Sequence, residues 1–208
     1  MKKRYFIALL FLFAGCVSIR TPFIPTQYYY LSQEPFSFRN IAEIETNIVF
    51  REFTVPEELF DNRLMIWYED GTVQKLQYHR FNSDYSDLLN NFIFTRMNLA
   101  KAFKFGINKL NTANVPDYIL EGNILEFKAY SEKKDKKKNW VQIALQVNLL
   151  KFNPMSTNQN SVFSKIYTQR YEVTEPEYSK FVQSFSKALS LLVDKIILDI
   201  QSTIAHQE

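Results

Sequence analysis

The chain has 208 residues, of which 46% are apolar, enough for one packed domain. It contains one Cys, two His and four widely spaced Gly, which excludes a disulfide framework, a Cys/His zinc cluster and a glycine-rich phosphate loop. The net charge of +3 equals the contribution of Lys2, Lys3 and Arg4. Because the rest of the chain is neutral, we do not expect nucleic acid as a partner.

The first sixteen residues have the layout of a bacterial secretory signal. Three cations precede an apolar run from Tyr5 to Ala14, which ends at Gly15 and Cys16. A membrane-spanning helix needs about 20 apolar residues, roughly twice the length of this run. We therefore predict a signal peptide over residues 1–15; an uncleaved, membrane-embedded N-terminus is the alternative.

The end of this signal resembles a lipobox, the motif at which a lipoprotein precursor is cut before a lipid-modified Cys. The matching residues are Leu12, Phe13, Ala14, Gly15 and Cys16, with Phe13 where Leu is most common. Cys16 would carry a diacylglycerol thioether and an N-acyl chain, and we predict no other cofactor. Two or three acyl chains hold a protein on a membrane almost permanently. By this resemblance, Val17 in place of a retention Asp favours sorting to the outer membrane. Val17 does not decide the face of that membrane; a periplasm-facing domain is our expectation, and a surface-exposed one is the alternative.

The remaining chain is predicted to be a tether over residues 16–26 and a single domain over 27–208. Pro22 and Pro25 favour an extended tether. The predicted strands are Tyr28–Leu31, Ile44–Phe53, Arg63–Tyr68, Val73–Tyr78, Tyr118–Tyr130, Val141–Leu149 and Phe163–Val173. Asp70-Gly71 predicts a hairpin turn, and a change of in/out parity near Gly122 predicts a bulge.

Two segments change to helical periodicity. One begins at Tyr85 after a capping Ser83 or Asp84. The other follows Thr174-Glu175-Pro176-Glu177, which has the form of a capping box, and at roughly 28 residues would be about 40 Å long. The sequence therefore predicts an α+β fold: a mixed, largely antiparallel sheet of about six strands packed by two long amphipathic helices.

Catalytic and charged candidates are few. His79 would be the base of a hydrolase only if a nucleophile and an orienting partner stood beside it, and no G-x-S-x-G motif is present. A hydrolase using His79 is thus the weakest hypothesis. A lysine-rich hairpin tip would either be solvated or contact anionic lipid headgroups. Its cations are Lys133, Lys134, Lys136, Lys137 and Lys138.

The order of these features resembles the ABC-type transport auxiliary lipoprotein family, the outer-membrane lipoproteins similar to paraquat-inducible protein C. The resemblance rests on the lipobox, Tyr28–Leu31, the segment 53–61, the run Leu76–Phe81 before a helix, and the segment 117–127. Phe81 departs from the family's usual Trp. The likeness extends over residues 27–204.

The resemblance implies a docking role and no catalysis. Such lipoproteins work beside an Mce-type substrate-binding protein and an ABC permease and ATPase that move lipids or other hydrophobic cargo. The alternative is a lipoprotein that acts alone and binds an apolar ligand. A homo-oligomer is compatible with either hypothesis, and no metal is expected.

Overall fold

The computed structural model describes residues 23–38, 41–109, 115–132, 138–155 and 160–207. The predicted signal peptide, Cys16 and most of the lysine-rich hairpin lie outside the described residues. The strands are β1 (Gln27–Tyr29), β2 (Ile48–Phe50), β3 (Arg63–Tyr68), β4 (Val73–Phe81), β5 (Ile107–Lys109), β6 (Tyr118–Ser131), β7 (Asn139–Lys151) and β8 (Asn160–Val173). The helices are α1 (Tyr85–Leu99) and α2 (Tyr178–Ala205), and a 3-10 turn occupies Glu57–Leu59.

Strand β6 is the centre of a single mixed sheet. Along one edge it pairs antiparallel with β7 over its whole length, and β7 pairs antiparallel with β8. Along the other edge, β2 pairs with the first residues of β6 and β3 with its last residues, both in parallel. Strand β5 extends the β2 branch, whereas β4 and β1 extend the β3 branch. The sheet is therefore forked beyond β6.

Both helices pack on one face of this sheet. The buried apolar residues of β7 alternate with polar residues on the opposite face, and α2 lies against β7 and β8. Aromatic rings fill the interface, where Phe127 of β6 stacks on Phe185 of α2 with ring centres 4.0 Å apart. The prediction of an α+β fold with two helices and a mixed sheet is confirmed.

The sheet has eight strands among the described residues, where the sequence predicted about six. Strand β5 has no counterpart among the predicted strands, because its three residues are too few for an alternating pattern to be recognised. The predicted strand Ile44–Phe53 is reduced to β2, because Ile44 and Thr54 form only isolated bridges.

The predicted bulge lies further along β6 than Gly122. The register between β6 and β7 shifts between Ile124 and Glu126, which leaves Leu125 on the bulge. Gly122 has a different role, because a Cβ there would lie 2.8 Å from the ring of Phe53. Its small size lets the segment before the 3-10 turn approach β6 closely.

The two helices begin differently. Asp84 caps α1, as predicted, and its side chain accepts a hydrogen bond of 2.9 Å from the N–H of Asp87. The capping box predicted for α2 is wrong: the N-cap is Glu177, and no side chain caps the helix. Pro176 accounts for the difference, since the residue before a proline is held in an extended conformation and the helix cannot begin at Thr174.

Candidate functional site: the N-terminal segment and the adjoining cleft

The part of the chain closest to Cys16 is built into the helical layer. We call residues 23–38 the N-terminal segment. It starts at the edge of the sheet, where β1 pairs in parallel with the end of β4. It then continues along α2, to which it is joined by hydrogen bonds from its backbone.

Polar side chains in the sequence of α2 hold the segment in place. They recur every four residues and therefore lie on one side of the helix. The bonds run from the N–H of Ser32 to Ser186 Oγ (3.1 Å), from Glu34 to Ser190 Oγ (3.4 Å) and from Ser37 to Asp194 Oδ2 (2.7 Å). The segment thus satisfies its backbone donors on α2 in the absence of a neighbouring strand.

A buried ion pair connects the same segment to both helices. Arg96 of α1 donates from Nε to Asp194 Oδ1 at 2.6 Å, and both side chains are 1% exposed. The guanidinium also donates to the carbonyl oxygen of Glu34 at 2.8 Å and lies 4.5 Å from the ring centre of Phe36. These partners compensate a charge that would otherwise be costly to bury.

His79 is part of this site, but its neighbours are tyrosines. Its ring stacks on Tyr29 and lies 4.2 Å from the ring centre of Tyr178. The Tyr29 hydroxyl donates to Gln27 Oε1 at 2.8 Å and forms a hydrogen bond of 2.9 Å with His79 Nδ1. Burial lowers the pKa of His79 below its usual value. The described contacts thus give His79 a packing role between β1 and α2.

This lowered pKa predicts a pH-dependent stability. Between the folded and the unfolded pKa of His79, the unfolded chain binds more protons, so the free energy of unfolding falls as the pH is lowered from 7 through this range. We expect His79→Gln to remove this part of the pH dependence. Urea denaturation at a series of pH values measures it, and an unchanged slope in the variant would contradict the assignment.

A cleft lies beneath the start of α2, where it is lined by Tyr178, the residue whose ring contacts His79. Its volume is about 660 Å³, within the range typical of small-molecule sites. The β3–β4 hairpin, the adjacent ends of β6 and β7, and the first residues of α2 form its walls. The lining residues are Ile66, Tyr68, Thr72, Val73, Gln74, Ser131, Glu132, Asn139, Pro176, Tyr178 and Phe181. The apolar part of the surface is the larger one, and the polar groups are two amides, two aliphatic hydroxyls, two phenol hydroxyls and one carboxylate.

The opposite face of the sheet carries a row of aromatic residues. Trp67 of β3, Tyr130 of β6 and Trp140 of β7 are cross-strand neighbours, and all three are half-buried. Tyr130 stacks on Trp140 with ring centres 5.1 Å apart, and the Arg170 guanidinium lies 4.2 Å from the Trp140 ring centre. Burial and a hydrogen bond to Glu126 raise the pKa of Tyr130, so its hydroxyl stays protonated. We call these residues the aromatic row.

The remaining predicted site residues have no joint arrangement in the described structure. Lys138 pairs with Glu132 at 3.4 Å, and the other four lysines of the hairpin and the whole lipobox lie outside the described residues. His206 is exposed at the end of α2. Within the described residues no cluster of His, Cys, Asp or Glu could hold a metal ion, and neither helix is long and apolar enough to cross a membrane.

Sequence reasoning missed Arg96, Asp194 and the two serines of α2. A usable signal existed, since Ser186, Ser190 and Asp194 interrupt the apolar side of an amphipathic helix at intervals of four. Polar residues in such positions are rarely left without partners. The pattern indicates that another segment lies on this side of the helix.

Comparison with known proteins identifies the fold. No family model matches the chain, and no curated protein sequence matches it significantly. Protein XCC0632 from Xanthomonas campestris, described under the family model DUF330, superposes with a TM-score of 0.73 at 13% identity, over 87% of this chain and 98% of that one. An uncharacterised protein follows with a TM-score of 0.63 at 12% identity, over 85% and 99%.

A third solved structure extends the same likeness. The hypothetical protein CT253 from Chlamydia trachomatis has a TM-score of 0.50 at 9% identity, over 77% of this chain and 98% of that one. The chain therefore has the fold of the DUF330 protein of Xanthomonas, over nearly the whole of that structure. At these identities the likeness concerns the fold alone.

Proposed function

We propose that this chain is a non-enzymatic lipoprotein, anchored to the outer membrane through Cys16, that docks an ABC/Mce-type transport system for lipids or other hydrophobic substrates. One observation carries the proposal: the N-terminal segment, which begins seven residues after Cys16, is fixed to both helices around the buried Arg96–Asp194 pair. Because the N-terminal segment is bound to both helices, an anchor at Cys16 holds the whole domain at the membrane.

The aromatic row supplies a face for the docking. Interfaces between proteins are enriched in Trp, Tyr and Arg, and a few such residues carry most of the binding energy. The row combines Trp67, Tyr130 and Trp140 with Arg170 on the sheet face away from the helices. We propose that the Mce-type protein binds to this face. The ABC permease and ATPase would join the assembly through the Mce-type protein.

Affinity purification of the lipidated protein from its own cells tests this function. We expect an Mce-type protein and ABC subunits to co-purify, and Trp140→Ala to reduce their recovery about tenfold, the loss that a typical interface hot spot causes. Leu198→Ala is the matched control, because Leu198 is 41% exposed on α2, away from the row. Purification of the lipidated protein without any Mce-type or ABC subunit would overturn the proposal.

The alternative, a lipoprotein that acts alone and binds an apolar ligand, is favoured by the cleft beside α2. Binding of an apolar ligand is compatible with both roles, whereas acting alone is not compatible with docking a transporter. The proteins that co-purify distinguish the two hypotheses. A protein that binds lipid but co-purifies with no transporter subunit would support the alternative.

A further inference from the structure

The N-terminal segment enters the sheet from the end at which the cleft lies. Because β1 is parallel to β4, with Gln27 beside His79 and Tyr29 beside Phe81, the chain enters β1 from the side on which β4 begins. Strand β4 begins at Val73, which lines the cleft with its neighbours Thr72 and Gln74. The N-terminal segment therefore enters the domain from the side of the cleft.

Several other features lie at the same end of the domain, which we call the anchor end. The β3–β4 turn is there, because β3 and β6 are parallel and Tyr68 pairs with Ser131. Glu132 and Lys138, joined by a backbone hydrogen bond of 3.1 Å, lie at this end too, and α2 begins there at Tyr178. Phe23, the first described residue, is 90% exposed and precedes β1 on this side.

Distances decide which end of the domain faces the bilayer. Phe23 is seven positions after Cys16, so the two residues are at most about 25 Å apart when the chain between them is fully extended. Helix α2 has 28 residues and is about 42 Å long, so the opposite end of the domain lies beyond that reach. With Cys16 lipidated, the anchor end and the mouth of its cleft stay close to the headgroups.

The cleft has the lining of a site for one hydrocarbon chain. Ile66 and Phe181 close its base and are almost fully buried there, whereas Val73, Pro176 and Tyr178 supply its accessible apolar surface. Ser131 and Glu132 supply polar groups toward the end of β6. A mostly apolar pocket with a few polar groups is the usual design of a small-molecule site.

We propose that this cleft binds an acyl chain of a glycerophospholipid from the bilayer that anchors the protein. The acyl chain lies against Val73, Pro176 and Tyr178, and the glycerol and phosphate remain at the polar side near the headgroups. This inference rests on the membrane anchorage in the proposed function, but not on its transporter partners. To the proposed function, this inference adds the class of ligand that the domain binds.

Photo-crosslinking in vesicles tests the inference on the full lipidated protein. The vesicles consist of phosphatidylethanolamine and phosphatidylglycerol with a small share of phosphatidylethanolamine that carries a diazirine in one acyl chain. After illumination, peptide mapping should place the crosslinks in the β3–β4 hairpin and the first turn of α2. The protein's own anchor carries no diazirine, so it cannot produce these crosslinks.

A matched pair of variants on β4 makes the test specific. Gln74→Trp places a large ring in the cleft and should lower the crosslink yield about tenfold, the effect of a weakening by about 1.4 kcal/mol. Gln77→Trp makes the same change on an exposed position of the same strand outside the lining, and should leave the yield unchanged. Circular dichroism confirms that both variants are folded.

The outcomes separate this inference from the proposed function. Lipidated protein in vesicles that gives no cleft crosslinks, or the same yield in Gln74→Trp, overturns the inference. A chain that is not lipidated in its own cells overturns the anchorage, and with it the proposed function. Cleft crosslinks without transporter subunits in the purification would support the inference and count against the docking role.

Discussion

Replacing Cys16 by Ala is expected to abolish incorporation of labelled palmitate and to remove the protein from the outer-membrane fraction. Cys16 is the only thiol in the chain, so no other residue can form the thioether. Each buried methylene contributes about 0.8 kcal/mol, and one acyl chain alone gives only reversible binding, whereas two or three hold the protein almost permanently. The loss should therefore be close to complete.

Val17→Ala is the matched control for this change. It alters the neighbouring residue, keeps the thiol, and leaves a position that is still not Asp. We expect normal palmitate labelling and outer-membrane fractionation on a density gradient. Cys16→Ala protein that still took up palmitate, or fractionated with the outer membrane like the control, would contradict the lipid anchor.

Elements with a long, regular pattern could be predicted from the sequence. The strict alternation from Val141 to Leu149 is the middle of β7, and the apolar residues at intervals of three and four from Tyr178 mark α2. In both elements one side faces the core for more than eight residues, and hydrophobic period is then the strongest signal a sequence contains. The resemblance added the order of the elements.

Features that depend on distant parts of the chain could not be predicted. Strand β5 has three residues and exists because β2 supplies its partner. The pairing of Arg96 with Asp194 joins residues 98 positions apart, and no local pattern states which carboxylate an arginine will meet. The cleft likewise forms only where the β3–β4 hairpin meets the start of α2. Hydrophobic periodicity indicates which side of an element is buried. It does not indicate which other element packs against that side.

Arg96→Met is expected to destabilise the fold by about 3–5 kcal/mol, because it leaves the Asp194 carboxylate buried without its charge partner. The variant also removes the donors to the carbonyl oxygens of Glu34 and Pro35. Urea denaturation of the lipidated protein measures the loss. Glu52→Gln is the control: Glu52 forms an exposed pair with Lys109, and such pairs contribute about 1 kcal/mol or less.

A second readout links this ion pair to the anchor. In Arg96→Met the N-terminal segment loses its buried contacts, so chymotrypsin should cut at Tyr28–Tyr30 much faster. Mass spectrometry of the fragments separates these cuts from cleavage at Phe23, which is 90% exposed in the wild type as well. Asp194→Asn keeps an oxygen for the N–H of Ser37 and should be cut at an intermediate rate. Equal cleavage rates in wild type and Arg96→Met would show that the ion pair does not hold the segment. Faster cleavage at Tyr28–Tyr30 in a variant whose core stays folded would show that this ion pair fixes the N-terminal segment, and with it the anchor, to the domain.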